Sequence, residues 1–600
     1  MKLNSRQLAL VCAWIAGSVI AVFFATVIID SAFVDGEYVP RTNDSFYHAR
    51  RILDAAIGTR GFYEFDTRLH VPDGAWISWP WGYDYLAGQA LRLALAIKPS
   101  LDPLGFVSFI PVAFVVVNAG LFVAAVNQTG IRVSLAMAAM LAFALSPLVQ
   151  LMHSVGMIDH HFLEFTFVLL TIWLGQRYLA QPERAGSAVA LGTSLGLAVA
   201  FHNGLFALQI PVLACAVIVW LKGYRLPRAP LLALAVSLLV ATLIACAPSS
   251  ALRAGMFEFA LLSWFHVYIA VCSAAVLLFL AWRPFTIPNL ALLGVLSAGL
   301  AVPILQEVLH GASFVSGGLS ILGEIQEVQS PFRMYFETWG PRQTMSIYSW
   351  LLVAAPVLAA WFAWRIIAEN KPERVFFAVW AVFGLGLLLT QYRLHYFGLF
   401  ALFTGPVLIL DNLAKRYAWQ SGIALVAALG AILVAYQPSL RERLFVIYAP
   451  AGEPDYAFSR DLYAQLEPYC EQDPGLVLAS TNDGSAILFH TECSVLSNNF
   501  IMRAEDEAKI REVYELLEST PEELIEHQPQ IKYLLLRSGA YALSRNMTEP
   551  QTIHPESPIG VALLSDQPPP AQFESLHTVM IGNNPGDPLQ VYARLFRINR

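Results

Sequence analysis

Val155-Gly156-Met157-Ile158-Asp159-His160-His161-Phe162-Leu163-Glu164 places an acid, two imidazoles and a second acid between two apolar runs, 133–152 and 162–180, each of roughly membrane-spanning length. Backbone and side-chain polar groups left unpaired in hydrocarbon are expensive, so helices are the structure such runs adopt and a polar cluster between them is kept for a purpose. The stretch therefore reads as the junction of two transmembrane helices that carries chemistry.

The whole chain fits that reading. Of its 600 residues 56% are hydrophobic and 14% charged, and the mean hydropathy is +0.55, values that exclude a soluble globular protein. The net charge of −7 carries no basic footprint for nucleic acid. Apolar runs continue at 8–29, 105–126, 187–201, 204–221, 231–248, 258–281, 288–306, 346–364, 375–391, 394–411 and 420–436, which with the two flanking runs makes thirteen expected spans. The sequence thus predicts a transmembrane domain over 1–436, with polar external loops at 30–103 and 307–345, and a small α/β soluble domain over 437–600. Within that tail, 504–519 reads as an acidic helix and 589–598 as a closing strand.

Charge sets the expected orientation. Arg132, Arg177, Arg184, Lys222, Arg225, Arg228, Arg283, Arg365, Lys371, Arg374, Lys415 and Arg416 fall in alternate connections, the pattern of cytoplasmic loops. The N-terminus is then cytoplasmic in an inner (plasma) membrane, and the Asp159 cluster, both polar loops and the tail face outward. Arg253, in a short outer connection, is an exception. Cys470 and Cys493 can pair if the tail lies in an oxidising compartment.

Four constellations on the outer side carry possible chemistry. Thr42-Asn43-Asp44-Ser45-Phe46-Tyr47-His48-Ala49-Arg50 follows the first span, and Asp44 there can ligate a hard cation or be a solvated loop acid. Asp159 and His161 are close enough in sequence to reach one ion, and carboxylate with imidazole suits Mn, Fe or Zn, with Mg where carboxylates dominate; a buried polar network is the alternative. Glu324 and Glu327 stand in a glycine-rich loop, where a carboxylate can complete a metal site on substrate binding or simply face solvent. Arg393, in Gln391-Tyr392-Arg393-Leu394-His395-Tyr396-Phe397, suits bidentate capture of a phosphate, or snorkels.

In this order the motifs resemble the catalytic subunits of oligosaccharyltransferases, membrane glycosyltransferases of the GT-C type. Asp66-Thr67-Arg68-Leu69-His70-Val71-Pro72-Asp73-Gly74 and Trp79-Pro80-Trp81 add to the likeness, and Asp159-His160-His161 is closest to the archaeal form. The resemblance implies thirteen spans and an external C-terminal domain. It implies a divalent metal, Mn or Mg, bound by Asp44, Asp159 and His161, with Asp44 and Glu327 as catalytic groups and Arg393 with His160 at the donor phosphate. The expected reaction is inverting transfer of a glycan from a polyprenyl phosphate or pyrophosphate to a protein, lipid or glycan acceptor at the bilayer's outer face. The nearest alternatives are a GT-C enzyme that uses a monophosphate-linked sugar to modify a lipid or polysaccharide and, in another class, a transporter or inactive lipid-glycan-binding homologue.

The departure from the family is on the acceptor side. Its Trp-Trp-Asp-Tyr-Gly signature is missing, and in Val477–Ile487, which reads as strand and turn, Ser480, Thr481, Asn482 and Asp483 take the first four places while Gly484 persists. Asp483 and Gly484 are the acceptor-side candidates. Without the indoles, the acceptor need not be an Asn-x-Ser/Thr sequon.

Overall fold

Apolar runs that cannot leave backbone groups unpaired in lipid fold as helices, and a helix stands at each of the thirteen runs. A computed structural model of the protein describes residues 4–27, 32–58, 60–310, 328–441, 454–538, 553–554, 556–565, 567–581 and 589–599. Among these, nine helices are long and apolar enough to cross a membrane, and a tenth crossing results if Val133–Leu145 and Pro147–His153, bent by 60°, are taken together. The protein is thus multi-pass, but thirteen crossings do not follow from length and apolarity. Ala185–Ala198 and Ser421–Ala435 have 14 and 15 residues, short of the roughly 20 that a bilayer core asks. His161–Ala180 is diluted by Glu164, Gln176 and Arg177.

The chain forms two compact units. The first comprises Met1–Ala32, Ser78–Leu86 and Gly105–Ala451; the second comprises Phe33–Ile77, Ala87–Leu104 and Gly452–Arg600. In the first unit the helices run between two chemically different ends. At one end Arg6 donates to Asn127 Oδ1 at 2.8 Å, Arg132 Nε meets Asp411 Oδ1 at 3.3 Å, and Lys222 Nζ reaches Ile367 O and Glu369 O at 3.0 and 2.7 Å. At the other end the first helix, Ser5–Thr26, closes with Ala25 O accepting from Val155 N at 3.1 Å. The basic connections and the Asp159 cluster therefore lie at opposite ends of the helices. The chain also breaks at His202, between Ala185–Ala198 and a 3-10 turn at Asn203–Leu208. Past the glycine-rich loop the backbone is helical again over Pro331–Arg333, Met334–Thr338 and Gly340–Tyr348, a stretch expected to be loop.

The second unit centres on a five-stranded mixed sheet in the order Ser494–Val495, Leu476–Leu478, Ile531–Arg537, Gln590–Ile598, Phe573–Ile581. The first two pairings are parallel and the last two antiparallel. Helix Ala504–Glu518 presents Val513, Leu516 and Leu517 at helical spacing to a core with Leu476, Leu534 and Phe596. Most of the early polar segment, Phe33–Ile77 and Ala87–Leu104, belongs to this unit. Leu69 bridges Val495 in parallel, and Arg68 Nε donates to Cys493 O at 3.0 Å. Cys470 and Cys493 form a disulfide. The segment also contains helices Asn43–Ala56 and Trp81–Ile97, which its polar composition did not announce.

Candidate active site

The loop before His161 is fixed by its backbone. Gly156 adopts φ +76°, which favours glycine, and its N–H donates to Ser108 O at 3.1 Å. Asn118 Nδ2 donates to Phe162 O at 3.1 Å and lies 2.8 Å from His153 Nε2, holding the start of the next helix.

This frame brings together more than the sequence suggested. Asp159 Oδ1 accepts from His160 N at 2.6 Å and lies 2.8 Å from His160 Nδ1, while Oδ2 lies 3.3 Å from His161 Nε2. Glu164, one turn into the helix and fully buried, meets His161 Nδ1 through Oε2 at 2.6 Å. Its Oε1 is 2.8 Å from His202 Nδ1 and accepts from Tyr396 OH at 3.0 Å. A carboxylate only accepts, so Glu164 directs the Nδ1 proton of His161 toward itself and leaves Nε2 facing Asp159. His202 also stacks on His160, centroids 4.7 Å apart and planes 14° off parallel. The His202 corner is clamped by Asn203, which donates to Ala260 O at 2.6 Å and accepts at its carbonyl from His266 Nε2 at 3.1 Å.

A buried carboxylate in this setting is tolerable only with polar partners, and here the His161 imidazole and the Tyr396 phenol bond it while the His202 imidazole stands within ion-pair distance. The donor set fits a divalent metal. Asp159 offers oxygen and His161 an oriented Nε2, and beside them lies a separate group, without His161, in which one ligand atom each from His160, Glu164 and His202 lie within 4.8 Å of one another. Both ring nitrogens of His202, Nδ1 and Nε2, are buried without a hydrogen-bond partner among the described residues. Sequence reasoning missed His202 and Tyr396 and gave Glu164 no role. The signal for Glu164 was its place three residues after His161, one helical turn on the same face.

Arg393 lies half-buried in the 3-10 turn Tyr392–Leu394, directly before helix His395–Arg416, whose first turn supplies Tyr396. Glu327 lies outside the described residues. Asp44, Asp483 and Gly484 belong to the second unit. There Thr42 caps helix Asn43–Ala56 by accepting from Ser45 N at 3.1 Å, which puts Asp44 in its first turn. That helix packs on helix Thr481–His490: Asn43 Nδ2 donates to Asn482 Oδ1 at 3.2 Å, and Phe46 meets Phe489 edge-on at 5.5 Å. Residues 481–490 are therefore helix, not turn, because Ser480 caps them by accepting from Asn482 N at 3.2 Å. Asp483 is 1% exposed, with Arg537 Nε at 2.8 Å and Tyr463 OH at 2.6 Å, so its carboxylate is spent inside the unit. Gly484 lies against Asn498, where a Cβ would come within 2.3 Å of Ser497 O.

In the same unit Asp66 accepts from Tyr47 OH at 2.6 Å, Arg50 Nη1 at 2.7 Å and Arg68 N at 3.0 Å. Burial opposes its charge, but Arg50 and these donors outweigh burial and hold the carboxyl below the usual range.

No family model and no curated protein matches the chain. Solved structures do. The archaeal oligosaccharyltransferase AglB of Archaeoglobus fulgidus, in complex with an inhibitory peptide and a dolichol-phosphate, superimposes with a TM-score of 0.69 at 16% identity over 89% of this chain and 70% of that one. The chain has the oligosaccharyltransferase fold. A second structure of the A. fulgidus oligosaccharyltransferase, a complex with Zn and sulfate, gives a TM-score of 0.64 at 16% identity over 97% of this chain and 73% of that one. In this chain the Asp159–His161 pair follows the bent helix pair Val133–Leu145 and Pro147–His153, and residues 481–490 form a capped helix.

Proposed function

We propose that the protein is a metal-dependent, inverting glycosyltransferase that takes a glycan from a polyprenyl phosphate or pyrophosphate. The observation that carries this reading is the Asp159–His161 pair, oriented by buried Glu164 in a chain with the oligosaccharyltransferase fold. Asp159 and His161 hold the metal, with Asp44 and Glu327 as further carboxylates; Arg393 and His160 hold the donor phosphate. Mn or Mg held by these residues would supply charge neutralisation at the leaving phosphate. An acceptor nucleophile attacks the anomeric carbon from the face opposite the phosphate. The C–O bond to phosphate breaks, the phosphate leaves with the electron pair, and a carboxylate, Asp44 or Glu327, takes the acceptor proton.

The reaction belongs to the outer face of an inner (plasma) membrane, with the N-terminus in the cytoplasm. Basic groups at the end opposite Asp159 support that orientation, as does the Cys470–Cys493 disulfide in the second unit. Residues 437–600 form the external domain in this reading. The acceptor is a protein, lipid or glycan and need not carry a sequon. Against a transporter stands the gathering of ionisable groups at helix ends instead of a string through the midplane. The test is to incubate the purified protein, Mn and a lipid-linked oligosaccharide with a membrane extract and to follow the glycan by mass spectrometry. A glycan-bearing product made by wild type and not by Asp159→Ala is expected; no product from wild type contradicts the reading.

A further inference from the structure

At the end of the first unit away from Asp159, four helix ends converge. Helix Gln209–Leu221 finishes, Arg228–Cys246 begins, Trp264–Trp282 finishes and Ile287–His310 begins. Trp220 Nε1 donates to Arg283 O at 2.7 Å and joins the two connections. Between them lies a half-open groove of about 480 Å³, lined by Arg225, Arg228 and Arg283 together with Trp220, Trp282 and Phe285.

Several of the other basic groups at this end are paired, while Arg184 and Lys371, like these three, have no side-chain hydrogen bond or ion pair among the described residues. Arg132 and Lys415 pair with Asp411, Arg365 and Arg374 with Glu369, and Lys222 donates to two carbonyls. Among the described residues, Arg225, Arg228 and Arg283 have no side-chain hydrogen bond or ion pair, and no carboxylate lines the groove. Orientation by positive charge accounts for arginines in these connections, but not for three of them meeting unpaired around one groove. The rim is of another kind: Trp282 is 53% exposed and Phe285 39% exposed. A tryptophan such as Trp282 settles at headgroup depth, where its indole has one apolar face and one N–H edge for water.

We propose that this groove is a binding site for the headgroup of an anionic phospholipid from the surrounding leaflet. The guanidinium forks take the phosphodiester oxygens, for which their planar donors are suited, and Trp282 and Phe285 lie along the glycerol and first acyl carbons. Helix Gln209–Leu221 separates the groove from His202, since the groove is at its C-terminal end and His202 precedes its N-terminal turn. The lipid is therefore neither donor nor acceptor of the transfer reaction; it anchors the helices that set the His202 corner. The site does not depend on the proposed activity.

Native mass spectrometry of the full-length protein in detergent tests this, with phosphatidylglycerol, phosphatidylcholine and glycerol 3-phosphate as separate probes. Wild type is expected to retain phosphatidylglycerol about tenfold better than phosphatidylcholine, a difference on the scale of one well-made charged contact. Arg225→Gln/Arg228→Gln/Arg283→Gln is expected to lose that preference. Arg283→Gln alone should lower it and serves if the triple variant does not fold. Equal retention of the two lipids by wild type, or a preference unchanged in the variants, overturns the proposal. So does glycerol 3-phosphate binding as well as the lipid, because the site would then be one for free phosphate.

Discussion

Glu164 contacts His161 and His202 within 2.8 Å and Tyr396 at 3.0 Å, so its loss should be felt through its partners. Glu164→Gln keeps the volume but weakens the pull on the His161 Nδ1 proton, and outer partners of this kind change metal affinity by about 10–100-fold. Mn titration followed by electron paramagnetic resonance should show an affinity at least about tenfold lower. Affinity unchanged from wild type would remove Glu164 from the site. In the second unit, His490 stacks on Tyr463 at 5.3 Å, and burial, assisted by Arg460, holds its pKa down to about 4. Its unfolded value is about 6.5, so between these values the unfolded chain binds more protons and stability rises with pH. Burial also raises Asp506 to about 6, which acts in the opposite sense from about 4 to about 6. Melting temperatures across that window should therefore climb less in His490→Gln than in wild type; an equal climb would contradict the assignment.

At the scale of elements, helices Pro372–Thr390 and His395–Arg416 meet backbone to backbone just past the Arg393 corner. A Cβ on Gly384 would come within 2.1 Å of Phe397 O, and one on Gly398 within 2.7 Å of Gly384 O. Small residues permit this approach. Gly384→Val should cost about 1–3 kcal/mol by overpacking, lower the melting temperature and weaken Mn binding as Tyr396 moves from Glu164. A melting temperature equal to wild type would show that the helix pair is not set by this contact. Element identity was largely legible, since the apolar runs, the acidic helix at Ala504–Glu518 and the closing strand Gln590–Ile598 all stand where pattern put them. Residues 481–490 were not, because the capping hydroxyl of Ser480 outweighs turn-like Asn482-Asp483-Gly484. Nor were the helices of 30–103, which charged and aromatic residues mask.

Across the whole molecule, the separation of basic connections from the acid–imidazole cluster was readable because it is linear in the sequence. The number of crossings was not, because helices as short as Ala185–Ala198 match the apolar pattern of a span without its length. The site was half legible. Asp159, His160 and His161 are neighbours in the chain, whereas His202 and Tyr396 arrive from other helices and only tertiary packing brings them to Glu164. Asp483, proposed for the acceptor side, is occupied by Arg537.

The central claim, metal-assisted cleavage of a lipid-phosphate glycan bond, is tested most directly by the release of polyprenyl phosphate or pyrophosphate from a lipid-linked oligosaccharide. The assay compares purified protein with Mn, with chelator, and as Asp159→Ala with Mn. Release by wild type with Mn, abolished by chelation and reduced by at least about a hundredfold in the variant, is the predicted result. Wild type that releases nothing, or release that persists undiminished in Asp159→Ala, would contradict it.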